Sequence, residues 1–231
     1  MKRWAVVVAV LYVLIFSALT CVGFLVAFPW AKFGFEGIAG TFASWGYWVL
    51  LVLLALSQFA LLAVPVRIAE RRPVTRRALW PTVLAGGFAA GLLAIGAVFA
   101  IIALLFQDDL PGSGEDVTLR IAAAAGVVSW GVWALVFNRA SARLGPEALL
   151  KKQRGGLVKG SVLELLIAVP THIVARHRDN CCANMMTFIG LVFGFGVMLF
   201  AYGPAVFFLF AERWRQLHPG ATAEPLRDGR T

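Results

Sequence analysis

The stretch GSVLELLIAVPTHIVARHRDNCCANMMT, residues Gly160–Thr187, joins an apolar run to most of the reactive side chains of this chain. It contains one glutamate, two histidines, two adjacent cysteines and two adjacent methionines, whereas the other apolar runs carry few such groups. An ionisable residue inside an apolar run is costly in lipid and faces protein or a water-filled space. We therefore expect the specific site of this protein to lie in this stretch.

The composition of the chain indicates a membrane protein. Of its 231 residues, 60% are hydrophobic and 14% are charged, compared with about 25% charged residues in soluble domains. Several apolar runs reach the roughly 20 residues that a helix needs to cross the hydrocarbon core of a bilayer. The sequence predicts an all-α polytopic transmembrane helix bundle in a single domain over residues 1–211, followed by a flexible cytoplasmic tail over residues 212–231.

Six spans are predicted within this domain. They cover residues 4–28, 45–64, 82–106, 119–137, 161–178 and 187–211. The segment Pro29–Ser44 between the first two spans contains three glycines and several aromatic residues. We expect it to form a loop in the interfacial belt of the membrane.

The basic residues predict the orientation of the bundle. In the six-span arrangement, all but four of the 21 Lys and Arg residues fall on one side, the exceptions being Lys32, Arg120, Arg176 and Arg178. The positive-inside rule makes that side cytoplasmic and places both termini there. A bacterial-type inner membrane is expected. The net charge of +9 is spread over short segments between spans, which favours contact with anionic lipid headgroups and not with nucleic acid.

The fifth span is the weakest of the six. Its apolar part, Ser161–Val174, is only about 21 Å long as a helix, so it crosses the membrane only if Arg176 and Arg178 reach out to the headgroups. Gly155-Gly156 predicts a break before this span, and Pro170 predicts a bend or opening within it. The alternative topology keeps this segment re-entrant, with five spans and an external carboxyl terminus.

Glu164 has two interpretations. Within an apolar helix, it would be a proton relay or a metal ligand. However, Ser161 and Glu164 have the spacing of a capping box, in which the glutamate bonds to free backbone donors in the first turn of a helix. The sequence leaves both interpretations open.

Thiol and imidazole groups form the second candidate site. Thiolates and imidazoles bind zinc or copper ions, although adjacent cysteines diverge and no C-x-x-C motif occurs. Cys21 lies about 10 Å below the outer end of the first span, so it could meet the others at one surface. These observations predict a soft-metal or thiol-redox module at the outer end of spans five and six. The predicted donors are Cys21, His172, His177, Cys181 and Cys182.

Other interpretations of the sequence remain open. Arg176 and Arg178 are either interfacial anchors or an anion or headgroup site. The glycines at 87, 91, 190 and 194 allow close helix packing, within the chain or with other membrane proteins of which this chain would be an accessory subunit. A small transporter with a helix broken at Pro170 is a third possibility. No nucleotide-binding glycine loop, H-E-x-x-H or G-x-S-x-G motif is present, so no reaction is predicted.

Overall fold

The computed structural model describes residues 2–27, 31–69, 74–105, 112–177 and 181–217. Over these residues the chain forms seven α-helices and no strands. Six of the helices, all except α2, are long and apolar enough to cross a membrane, as expected of a multi-pass membrane protein. The helices are α1 (Lys2–Ala27), α2 (Ala31–Ala43), α3 (Trp45–Ala69), α4 (Arg76–Leu105), α5 (Gly112–Ser141), α6 (Pro146–His177) and α7 (Cys181–Leu217).

Helices α4 and α7 form the centre of the bundle. They pack against each other, and both pack against α3 and α6. Helix α5 covers the outside of α4, and α1 lies on α7 and α3. Half of the crossing segment of α4 is buried, compared with 11% of that of α5. The glycine and alanine content of α4 allows these close approaches from several sides.

The glycine face of α4 is used within the chain. A Cβ atom at Gly87 would lie 2.9 Å from the backbone oxygen of Trp130, and one at Gly91 would lie 2.8 Å from that of Gly126. Both contacts belong to α5, so these glycines allow the α4 and α5 backbones to touch. Packing within the chain is one of the two roles predicted for these glycines. The other role, packing against other membrane proteins, stays a prediction.

Large apolar side chains cover much of the outer surface. Leu14 on α1, Val127 on α5 and Leu166 on α6 are each more than 60% exposed. A surface of this kind is unfavourable in water and stable against lipid tails. The surface therefore supports contact with a lipid bilayer.

Helix α2 corrects the prediction of a loop over Pro29–Ser44. Residues Ala31–Ala43 are helical, and the backbone N–H of Ser44 donates to the carbonyls of Gly40 and Thr41 at 3.1 Å. The indole N–H of Trp48 donates to the carbonyl of Phe42 at 2.8 Å, which ties the end of α2 to α3. Glycine lowers helix propensity in water, but beside a membrane the backbone gains more by forming internal hydrogen bonds.

Helix α6 corrects two predictions about the central stretch. It is continuous from Pro146 to His177, so the predicted break at Gly155-Gly156 is wrong. It also remains helical on both sides of Pro170 and does not open there. A break would leave several backbone groups without partners near lipid, which costs more than the low helix propensity of two glycines.

Helices α3, α4, α5 and α7 also extend beyond their predicted spans. Helix α5 begins at Gly112 and not at residue 119. Helix α7 begins at Cys181 and continues to Leu217, into the segment predicted to be a tail. Residues 218–231 of that tail lie outside the described residues.

Candidate functional site

Glu164 lies on the face of α6 that packs against the rest of the bundle. The buried residues of α6 recur every three or four positions, as expected for one face of a helix. Four of them are polar, so this face differs from the apolar contact surfaces of most of the other helices. The buried residues are Leu149, Gln153, Leu157, Ser161, Glu164, Ala168, Thr171 and Ala175.

Three glycines surround the Glu164 carboxylate, and we call this arrangement the Glu164 site. A Cβ atom at Gly96 of α4 would lie 2.8 Å from Oε1, and one at Gly190 of α7 would lie 3.2 Å from the same oxygen. A Cβ atom at Gly194 of α7 would overlap Oε2. The small residues of α4 and α7 therefore leave the space that the carboxylate occupies between these two helices.

Neither oxygen of the Glu164 carboxylate has a hydrogen-bond partner among the residues that the structure describes. Glu164 is only 3% exposed, and within the same part of the chain the buried hydroxyl of Ser161, one turn earlier, also has no partner. The capping-box interpretation is wrong, because Ser161 lies in the middle of α6 and not at its first turn. An unpaired carboxylate in such a place is stable only with a proton, a bound cation or water.

A groove between α4, α5 and α6 reaches Glu164. Its volume is about 260 Å³, and its lining is mainly apolar, with Trp133 and Phe137 on one side and Gly160 on the other. Among the described residues that line it, Glu164 alone is ionisable. The groove exists because α5 packs on α4 and touches α6 only lightly.

A larger cavity lies at the amino-terminal end of α6. It has a volume of about 380 Å³ and lies between α3, α6 and α7. Glu147, Lys151 and Arg154 line its rim, while Gln153 and Leu157 line its inner part. Gln153 and Leu157 belong to the same buried face of α6 as Glu164.

His172 bonds to the neighbouring helix near the other end of α6. Its Nδ1 lies 2.8 Å from the hydroxyl oxygen of Thr187, and that hydroxyl donates to the carbonyl of Asn184 at 3.1 Å. Which of the two atoms donates in the His172–Thr187 contact depends on the tautomer of His172. This contact ties the outer part of α6 to the start of α7.

The predicted donors Cys21 and His172 lie near the same end of the bundle. A Cβ atom at Gly23, two residues after Cys21, would overlap the ring of Phe188, while His172 contacts the preceding residue, Thr187. The Cys21 thiol is partly buried and forms no disulfide. Both residues therefore lie beside the same part of α7, and a metal or redox site formed by them stays a prediction.

The remaining predicted donors are not brought into a cluster that the structure describes. His177 is exposed, and its Nδ1–H donates to the carbonyl of Ile173 within its own helix at 2.7 Å. Cys181 and Cys182 begin α7, but their side chains lie outside the described part, as does the whole of Arg178. Among the side chains that are described, no three His, Cys, Asp or Glu residues come together as a possible metal site. The copper or zinc site stays a prediction.

Two buried amides were not predicted as site residues. Gln58 of α3 is 1% exposed and lies against Gly203 of α7, and neither of its amide atoms has a partner in the described part of the chain. Gln153 of α6 is 2% exposed; its Nε2 donates to the carbonyl of Thr82 at 3.3 Å, while its Oε1 has no partner. Gln58 is an amide within a run that otherwise has no amide or charged side chains. This signal in the sequence could have identified it.

Comparison of the chain with protein-family models, with curated proteins and with solved structures found no match. The chemistry of the buried groups is therefore the evidence for the function of this helical protein.

Proposed function

We propose that this chain is a small membrane transporter that carries protons across the bilayer, with Glu164 as the group that binds and releases them. The observation that carries the proposal is the carboxylate itself, which is buried between α4, α6 and α7 with neither oxygen bonded. An acidic residue inside a membrane bundle is costly, and such residues form proton relays and ion pathways.

The position of Glu164 along α6 agrees with a carrier role. It lies 13 residues before His177, which is about 20 Å along the helix axis. A hydrocarbon core of about 30 Å that ends near His177 would therefore contain Glu164 well inside it. A proton held at this depth is separated from both aqueous phases, as a carrier requires.

Polar side chains extend from Glu164 toward both ends of α6. Toward the amino-terminal end, the Ser161 hydroxyl is one turn away, and Gln153 lines the cavity beyond Leu157. Toward the other end, His172 lies eight residues on, or about 12 Å, and retains a ring nitrogen that can accept a proton. Protons would move along this face of α6, with water entering where the side chains do not meet.

The charge distribution supports a direction for this path. We place both termini and the basic start of α6 on the cytoplasmic side, with six spans, because the Lys and Arg residues follow the positive-inside rule. The unbroken helix of 32 residues from Pro146 to His177 favours this topology over the re-entrant alternative, because it is long enough to cross. The 380 Å³ cavity is then the cytoplasmic entrance.

Proton flux into liposomes tests the proposal. The purified protein is reconstituted with a trapped pH-sensitive dye, and a potassium diffusion potential is applied with valinomycin. We expect wild-type protein to acidify the lumen several-fold faster than protein-free liposomes, and Glu164→Gln to reduce the rate to that of protein-free liposomes. The substitution keeps the size of the side chain but removes the group that exchanges a proton.

Glu36→Gln is the matched control, because Glu36 is exposed on α2, outside the six crossing helices. This variant should retain the wild-type rate. Flux that persists in Glu164→Gln, or wild-type protein that carries no more protons than bare liposomes, would refute the assignment.

A further inference from the structure

Helices α6 and α7 pack against each other in an antiparallel register. A Cβ atom at Gly190 would lie 3.4 Å from the Cβ atom of Ala168, and one at Gly194 would overlap the carboxylate of Glu164. Four residues forward along α7 therefore match four residues back along α6. Facing residues recur about once per turn, as expected for two packed helices.

The same register continues to the 380 Å³ cavity. Leu157 of α6 and Ala201 of α7 both line the cavity, and each lies seven residues from the pair formed by Glu164 and Gly194. Seven residues are two turns, or about 10 Å along the helix axis. Among the described lining residues, Leu157 and Ala201 are the closest to this pair along their helices. The cavity therefore ends about two turns short of the carboxylate.

One layer of side chains lies between the cavity and the carboxylate, and we call it the Val197 layer. The register places Val197 of α7 level with Ser161 of α6, and these residues are 2% and 0% exposed. Leu93 of α4 lies on the third side, since a Cβ atom at Gly160 would lie 3.0 Å from its Cδ1. Leu93 and Val197 belong to the same buried apolar cluster. The layer thus consists of Leu93, Ser161 and Val197.

The Val197 layer is a barrier to protons in this structure. The side chains of Leu93 and Val197 have no polar atoms, and the Ser161 hydroxyl is buried with no hydrogen-bond partner among the described residues. Apolar constrictions of this kind exclude water, and a proton crosses only where water or polar groups form a continuous chain. Entry of a proton from the cavity therefore requires the layer to part.

The packing of α6 on α7 differs between its two ends. Beyond Glu164, His172 contacts Thr187 and ties the two helices together. At the opposite end the cavity already lies between them, with Leu157 and Ala201 in its wall. We therefore expect the helices to separate from the cavity end, which would extend the cavity by two turns to Glu164.

We infer that the Val197 layer is the cytoplasmic gate of this protein and that the Val197 side chain keeps water away from Glu164. The role of the gate in transport rests on the proposed function. The parting of the layer does not, because the access of a water-soluble reagent to this depth is measured without proton flux.

Labelling of a cysteine within the layer tests the gate. Ser161→Cys is introduced together with Cys21→Ser, Cys181→Ser and Cys182→Ser, and vesicles with the cytoplasmic face outward are treated with a small charged methanethiosulfonate. Val197→Ala removes two methyl groups from the layer, so the labelling rate should rise severalfold. Val197→Thr keeps the size of the side chain but adds a hydroxyl that favours water, and it should also raise the rate.

The matched controls are Val192→Ala and Val192→Thr. Val192 is also buried on α7, at 8% exposure, but it lies two residues from Gly194 and so on a different side of the helix. Both control variants should be labelled at the rate of the Ser161→Cys protein alone, and circular dichroism checks that the helices are intact. Equal rates in all these proteins, or an equal acceleration by the Val192 variants, would overturn the inference.

Proton flux in the liposome assay separates the gate from the proposed function. Val197→Ala should raise the rate severalfold above wild type, and adding Glu164→Gln should return it to that of protein-free liposomes. If wild type carries protons but the Val197 variants change neither labelling nor flux, the gate is refuted and the proposed function stands. If labelling responds while wild type carries no protons, the proposed function fails and the barrier to water is upheld.

Discussion

At the scale of single residues, Glu164 and the glycines around it depend on one another. Gly96 and Gly190 approach Oε1, and Gly194 approaches Oε2, so the carboxylate occupies space that any larger residue would fill. Helix association in lipid relies on close packing of small residues, because lipid tails are as apolar as the helix surfaces. Here the close packing encloses a polar group, which favours a function over a purely structural role.

Gly96→Ala tests this dependence. The added methyl would lie 2.8 Å from Oε1, so we expect the free energy of unfolding to fall by about 1–3 kcal/mol. In a Glu164→Ala background the same substitution should cost much less, because the nearest obstacle is gone. Gly131→Ala is the control, since a Cβ atom there meets nothing within 4 Å. Unfolding in mixed micelles is measured for wild type and the four variants. An equal cost of Gly96→Ala in both backgrounds would contradict this geometry.

At the scale of elements, α6 determines what the central stretch can do. Because it is one helix from Pro146 to His177, the cavity, the Glu164 site and His172 lie along one axis. A break at Gly155-Gly156 would have separated the segment that carries the basic residues of the cavity from the segment that carries the carboxylate. The low polarity of the surroundings makes an unbroken set of backbone hydrogen bonds the stable solution.

The double variant with Gly155→Ala and Gly156→Ala distinguishes a continuous α6 from one that is broken at these glycines. A Cβ atom at either position meets nothing within 4 Å, so within a helix each substitution should raise the free energy of unfolding by about 0.5–1 kcal/mol. If the two glycines formed a turn with left-handed backbone angles, the same pair would destabilise the protein. Thermal unfolding followed by circular dichroism gives the sign.

At the scale of the whole molecule, the orientation of the six crossing helices decides which end faces the cytoplasm. The antiparallel contacts of α1 and α6 with α7 bring Cys21, His172 and the start of α7 to one end of the bundle. The basic residues of the cavity rim lie at the other end of α6. The topology proposed above places that other end on the cytoplasmic side, because its basic residues follow the positive-inside rule.

Thiol labelling in intact cells checks the orientation. A variant that keeps only Cys182, through Cys21→Ser and Cys181→Ser, should react with a membrane-impermeant maleimide added outside. A Lys151→Cys variant without the native cysteines should react only after lysis, because most of the length of α6 separates position 151 from position 182. Labelling of both positions from the same side would favour the re-entrant topology. Labelling of Lys151→Cys from outside and of Cys182 only after lysis would mean that the protein has the opposite orientation in the membrane.

The sequence by itself determined that this protein is a helical membrane protein, because an apolar run of sufficient length has few stable forms other than a helix in lipid. It also singled out Glu164 and His172, because ionisable groups in such runs are costly. The loop predicted at α2 and the break predicted within α6 were wrong, because propensities measured in water underestimate helix formation at a membrane.

Only the tertiary structure decided what surrounds these residues. The sequence contains the glycines at 96, 190 and 194 and the capping-box spacing at 161–164, but it does not say which helices touch. Packing of α4 and α7 against α6 converted a residue that could have been a helix cap into an enclosed, unpaired carboxylate. The physical reason is that the fate of a buried charge depends on its neighbours in space, and those come from distant parts of the chain.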